Sequence, residues 1–254
     1  MADTSTSQTL RRGLKVLDLF QGDEARYRAR ELAEILEMSP TVTLRLLNTL
    51  VEGGYLAKDE KTGEYSLGLS AYVLGLYANP QPKLARTAMP FLKEIASETG
   101  ETVSLNFFDI VKLEGVCIAS IESEQVLKTS APIGVSKPVF LGASRKVLLA
   151  FLSPLQQEQI FKKAKNEGFE KIDILKDELE VIKKLGFSNT EGEVNVGTLN
   201  VAVPVISQSG TLLASIAISC PTFRKTDTTV EYFSRLAKNA ADQIVRIIDN
   251  PNAL

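Results

Sequence analysis

The chain has 254 residues, 44% of them hydrophobic, with 29 Lys and Arg against 31 Asp and Glu, and it has no histidine. That is enough for one large or two ordinary domains, while the near-neutral charge gives no whole-chain signature of nucleic-acid binding. Without histidine the commonest general base and metal ligand are missing, and Cys117 and Cys220 are too few for a disulfide framework or a zinc cage, so neither metal nor cofactor is expected. No run of about 18 apolar residues is present, which argues against a membrane span. The opening MADTSTSQTLRRG lacks a signal peptide's apolar segment, so a cytoplasmic location is expected.

In chain order, LRRGLKVLDLFQ sets Leu10, Leu14, Leu17 and Phe20 on one helical stripe that Gly22-Asp23 should end. ARELAEILE reads as a short helix with Leu32, Ile35 and Leu36 inward. MSPTVTLRLLNTLVEGGYL carries the clearest boundaries of the chain. Ser39 is an N-cap, Pro40 sits where its missing N–H costs nothing, and Gly53-Gly54 closes the helix. Val42, Leu46, Leu47, Leu50 and Val51 form its apolar side. YLAKDEKTGEYSLG then reads as a hairpin about Thr62-Gly63.

Three helices and a hairpin in this order predict a winged helix-turn-helix over 1–68, with a small helical protein-contact domain as the alternative. The first turn of the third helix is short and polar, as expected where a recognition helix meets base edges. Candidate DNA contacts are Ser39, Thr41, Thr43 and Arg45 on that helix, Arg11 and Arg12 ahead of the first, Arg28 before the second, and Lys58 and Lys61 on the hairpin. Their partner would be a double-stranded operator.

Residues 69–82 predict a linker helix that Asn79-Pro80-Gln81-Pro82 breaks, and 83–254 a second domain. AMPFLKEIASETG is an amphipathic helix. TVSLNFFD, LEGVCIASIE and VLKTSAPIG are strand candidates, and helices are expected at 143–152, 154–167 and 175–185. TLNVAVPVIS turning at Ser209-Gly210 into TLLASIAIS is the strongest β signal, and 227–249 forms a last helix. The expected fold class is α+β, with a mostly antiparallel sheet and its helices to one side.

LRRGLKVLDLF, RELAEILEMSPTVTLRLLNTLVEGGYL, YSLG, LGASRKVLLAF, GFSNTEGEVNVGTLNVAVPV and LLASIAISCP, in this order, resemble the IclR family of bacterial transcription regulators over nearly the whole chain. The resemblance implies an N-terminal winged helix for DNA and a GAF-like C-terminal domain that binds a small-molecule effector. It also implies a homodimer or dimer of dimers, and repression of a catabolic operon by a protein that is not an enzyme. An effector cavity would be lined by Gly142, Ala143 and Ser144 at a helix start, by Thr190, Glu191 and Asn200, and by Ala217 and Ser219. The chain departs from the pattern with Thr190, Asn200, Ala217 and Ser219 where organic-acid-binding members tend to carry an acid, a cysteine and two serines. Arg145 replaces the usual glycine. An organic acid or an aromatic metabolite both fit. Asn200 is the sharpest candidate, because an amide inside LNVAVPV needs a partner.

Other chemistries have less support. GVSKPVFLGASRKV lacks phosphate-cradling glycine spacing. Nothing near Lys137 or Lys146 predicts a lowered pKa. Cys117 and Cys220 read as small buried residues, with a thiol redox regulator as the rival and an enzyme with an accessory helical domain as a more distant one.

Overall fold

The protein is described by a computed structural model covering residues 6–20, 25–77 and 81–250, the side chains of 81 and 82 excepted. Two compact units, Met1–Pro82 and Lys83–Leu254, account for its contacts. Gly22-Asp23 and Asn79-Pro80, expected to punctuate helices, lie outside the described residues.

In the first unit, α1 (Gln8–Asp18), α2 (Ala29–Ile35) and α3 (Pro40–Glu52) precede the hairpin of β2 (Leu56–Lys58) and β3 (Glu64–Leu67). A two-residue strand the sequence did not announce, β1 (Tyr27–Arg28), adds to the far edge of β3, giving the order β1-β3-β2. Val16, Phe20, Leu32, Leu46, Leu47, Leu56 and Tyr65 form the core. The inward side of α1 is Gly13 and Val16, continued by the buried Phe20 just past its end, whereas Leu10 and Leu14 are exposed. The helix is apolar on two sides, and only one of them meets this core. After the hairpin, α4 (Leu69–Leu76) buries none of its residues.

The second unit opens with α5 (Gln81–Thr99), which begins seven residues before AMPFLKEIASETG and continues through Pro90. Next come β4 (Thr102–Asp109), β5 (Glu114–Ile121), β6 (Ser136–Pro138), α6 (Ala143–Ala150), α7 (Pro154–Asn166) and α8 (Ile172–Leu185). The chain finishes with β7 (Ser188–Glu191), β8 (Thr198–Ile206), β9 (Leu212–Pro221) and α9 (Thr229–Asp249). The strands form one sheet in the order β6-β5-β4-β9-β8-β7, each pair antiparallel. VLKTSAPIG is not one of them. It runs as a loop pinned at Thr129, whose carbonyl accepts from Thr102 Oγ1 at 2.7 Å and whose hydroxyl donates to Ser219 O at 2.9 Å.

Helices cover both faces of this sheet, which corrects the expected one-sided arrangement. Val103, Leu105, Val201, Val203, Ile216 and Ile218 pack with Leu92 of α5 and with Phe233 and Ile244 of α9. On the other face Ala202 and Ala217 pack under Val147 of α6 and Leu179 of α8. That second face also carries Ser215 and Ser219. In sequence these serines look like the solvent side of a strand, but both are buried. Small side chains here let α6 approach the sheet, and Ser215 Oγ donates to Ser144 O at 2.8 Å.

Candidate functional site

The first site is the outward side of α3. Ser39 Oγ accepts the Val42 amide at 3.4 Å, so its acceptor is engaged in capping the helix. Thr43 is buried and donates to Ser39 O at 3.1 Å. It faces the core and cannot reach a duplex, which corrects its assignment as a DNA contact. At 100° per residue the positions beside Thr41 are 44, 45 and 48, and Thr41, Leu44, Arg45 and Asn48 are all exposed. Leu44 and Asn48 were absent from the sequence reading. Their spacing from Thr41 was the available signal. An exposed asparagine on such a face has the two-pronged geometry that reads adenine.

The other basic candidates are also exposed. Arg11 and Arg12 lie within α1, whose N-cap is Ser7, and not ahead of it as expected; the Arg11 guanidinium donates to Thr6. Arg28 leads into α2, its amide held by Glu31 Oε2 at 2.6 Å. Lys58 pairs loosely with Glu60 at 3.4 Å, and Lys61 lies on the hairpin turn that Asp59 braces through the Lys61 and Thr62 amides.

The second site is a cavity of about 100 Å³ between the sheet face and the start of α6. It brings together Gly142, Ala143, Ser144, Asn200, Ala217 and Ser219. The register explains why: Asn200 lies opposite Ser219 across β8 and β9, and Ser104 lies opposite Ala217 across β4 and β9. Thr190 and Glu191 are not on it. They line a broader, open groove of about 690 Å³ beside α8. Thr190 Oγ1 caps α6 by accepting the Ala143 amide at 3.2 Å, and Glu191 pairs with Lys225 at 2.7 Å. Adjacent residues of a strand point to opposite faces, so at most one of these two could join Asn200.

The α6 N-terminus is also less available than expected. Glu193 Oε2 accepts the Gly142 amide at 3.3 Å, so an acid of the chain already occupies that end. Glu193 is held in turn by Lys146, at 2.6 Å, and Lys146 also pairs with Glu178 at 2.7 Å. Burial alone would depress Lys146, but these two carboxylates outweigh it and hold the ammonium above its ordinary value, against any Schiff-base role.

Asn200 has partners within the chain. Its Oδ1 accepts from Ser219 Oγ at 2.5 Å, and its Nδ2 donates to Thr198 Oγ1 at 3.4 Å. Of the two unpartnered buried side-chain atoms among the described residues, Ser120 Oγ and Arg145 Nε, the second is at this cavity. Cys117 lies on the same cavity, another residue the sequence reading left out of the site.

Both cysteines are buried, and burial raises each thiol from 9.0 to about 11. At neutral pH that leaves about a hundredfold less thiolate than an ordinary cysteine, which speaks against a peroxide sensor. Iodoacetamide at pH 7.5 should therefore alkylate the native chain at under a tenth of the rate seen in denaturant. Equal rates, followed by mass spectrometry, would contradict this reading.

The two units match known families separately and in order. Residues 9–60 match the IclR helix-turn-helix domain, and residues 80–246 match the bacterial transcriptional regulator IclR C-terminal domain. The transcriptional repressor IclR of Escherichia coli (strain K12) is 27% identical over 249 residues, covering 95% of this chain and 90% of that protein. The regulator KdgR of Dickeya chrysanthemi is 30% identical over 242 residues, covering 91% and 79%. Among solved structures, an IclR transcriptional regulator from Alicyclobacillus acidocaldarius superposes with a TM-score of 0.81 at 22% identity, over 95% of this chain and 98% of that one. An IclR homologue from Microbacterium hydrocarbonoxydans, solved with 4-hydroxybenzoate, gives 0.79 at 19% identity over 94% and 99%. A helix-turn-helix with a free recognition face, followed by a two-faced sheet enclosing a small polar cavity, is thus matched in both halves: the chain belongs to the IclR family of bacterial transcriptional regulators.

Proposed function

We propose that this regulator is a cytoplasmic repressor of a catabolic operon. It binds a two-fold operator as a dimer or dimer of dimers, and its GAF-like C-terminal unit releases the operator on taking up a small molecule. The observation that carries the reading is the exposed row Thr41, Leu44, Arg45 and Asn48 on α3, backed by the buried Thr43, Leu46 and Leu47. One side of the helix is fixed in the core while the other is presented outward, as a groove-reading helix requires. The E. coli relative's name as a repressor supports the sign of regulation, and the Microbacterium homologue's complex supports a small-molecule ligand. The cavity suits the second role by its mixed lining, and its volume of about 100 Å³ restricts the ligand to a very small molecule. Ligand can act only through different affinities for two arrangements of the dimer. Dimerisation is supported by Leu69, Tyr72, Val73, Leu76 and Tyr77, a stripe of exposed apolar side chains along α4 and its cap.

No helix among the described residues is long and apolar enough to cross a membrane. DNA binding is tested with duplex from the region upstream of its own and adjacent genes, titrated against random duplex at physiological salt. A preference of at least about 10³ is expected for an operator. Uniform affinity would refute the assignment. Arg11 and Arg12, exposed on α1, are assigned to backbone phosphates. Replacing both by Ala should weaken specific and random duplex alike and flatten the salt dependence by about four counter-ions per dimer, two from each protomer. A loss confined to the specific site would contradict the phosphate role.

A further inference from the structure

Among the described residues Arg145 has no counter-charge, while nearby acids are engaged elsewhere: Glu178 and Glu193 by Lys146, Glu114 by Lys163 at 3.0 Å. The chain makes room for it all the same. A β-carbon at Gly115 of β5 would lie 2.9 Å from Arg145 Cγ, so that glycine opens the bed of this side chain, whereas Gly142 is required by its own φ of 81° and lies first against Val194. The cavity above it is lined by a second cation, Lys137, and by no acid. Guanidinium stays ionised in proteins, and burying even part of one unpaired is costly; Arg145 is half-buried, with its Nε out of reach of solvent. A fold that gives up a side chain at Gly115 to seat such a group is fitted to the anion that completes it.

We infer that Arg145 is the specificity-determining residue of this cavity, and that its guanidinium takes the carboxylate of a small organic acid of about two or three carbons. The inference rests on the cavity being the effector site. The size follows from the volume: a cavity of about 150 Å³ accepts benzene, so about 100 Å³ accommodates fewer than about six heavy atoms. Hydroxyl and amide groups of Ser104, Asn106 and Ser219 converge from the sheet, while Val135, Val194 and Ala217 offer methyls suited to a carbon chain and unsuited to phosphate. The α6 N-terminus does not compete for the role, since Thr190 and Glu193 already accept its Ala143 and Gly142 amides.

The test is thermal unfolding of the full chain with sodium acetate, propionate and glycolate, against acetamide and propionamide as uncharged isosteres, with inorganic phosphate as a third arm at matched ionic strength. At a hundredfold excess over Kd, at least one carboxylate should raise Tm by about 5 °C or more, and the amides and phosphate should not. Arg145→Met should abolish that shift while raising the Tm of the ligand-free chain, because an uncompensated charge has gone. Arg145→Lys keeps the charge without the planar fork and should bind the same acid at least tenfold more weakly. Three results overturn the inference: equal shifts by acid and amide, shifts that survive both substitutions, or no shift with any carboxylate. A phosphate shift without a carboxylate shift would also overturn the assignment to carboxylates. The operator titration is independent of these arms, so failure here leaves the DNA-binding reading standing.

Discussion

Arg45→Ala is expected to weaken operator binding by about 1–3 kcal/mol, which is about 5- to 150-fold, if the guanidinium pairs with a base edge. Arg45 lies on the exposed side of α3, one turn beyond Thr41, and its backbone carbonyl accepts from Thr49 Oγ1 at 2.9 Å. Its side chain is absent from the core of the unit, so the substitution should leave the fold and the unfolding midpoint unchanged. A base contact predicts the loss on the operator and little change on random duplex. A phosphate contact predicts equal losses on both and a shallower salt slope. Titrations at several salt concentrations separate the two, and unchanged affinity throughout would exclude both.

The larger effect is expected from α4. A dimer holding two half-sites gains about 10²–10⁴ in affinity over a single head, because the second contact becomes intramolecular. Leu76→Asp places a charge in the exposed stripe with Leu69, Tyr72, Val73 and Tyr77. No residue of α4 is buried in the chain itself, so the substitution does not touch the core. Sedimentation should show monomers, and operator affinity should fall by that factor while each half retains its fold. A variant that stays dimeric with unaltered affinity would move the dimer contact away from α4.

Much of this molecule is legible in its sequence, and the misreadings have physical causes. The α3 boundaries follow from Ser39, Pro40 and Gly53 because capping is local chemistry. Which of its residues point outward depends on angle, and choosing by residue type placed Thr43 on the duplex side while passing over Leu44 and Asn48. The hairpin of β8 and β9 announces itself by alternation. Its second face does not, because Ser215, Ala217 and Ser219 are small in order to admit α6, and small polar residues resemble a solvent side. Gly142, Ala143 and Ser144 are brought to Asn200, Ala217 and Ser219 by sheet register, which the resemblance anticipated. Arg145 stands out in sequence only as a missing glycine. The space it fills is opened by Gly115 on a separate strand, and no local pattern connects those positions.

The outward row of α3 is proposed to read a two-fold duplex sequence. Selection of a randomised duplex library by the full-length chain, followed by sequencing, tests it most directly. An inverted repeat should be enriched, its half-sites centred about one helical turn, or a multiple of it, apart. The repeat should also lose information at defined positions when Arg45 or Asn48 is replaced by Ala. A library recovered without sequence enrichment, or an enriched repeat indifferent to both substitutions, would contradict this reading.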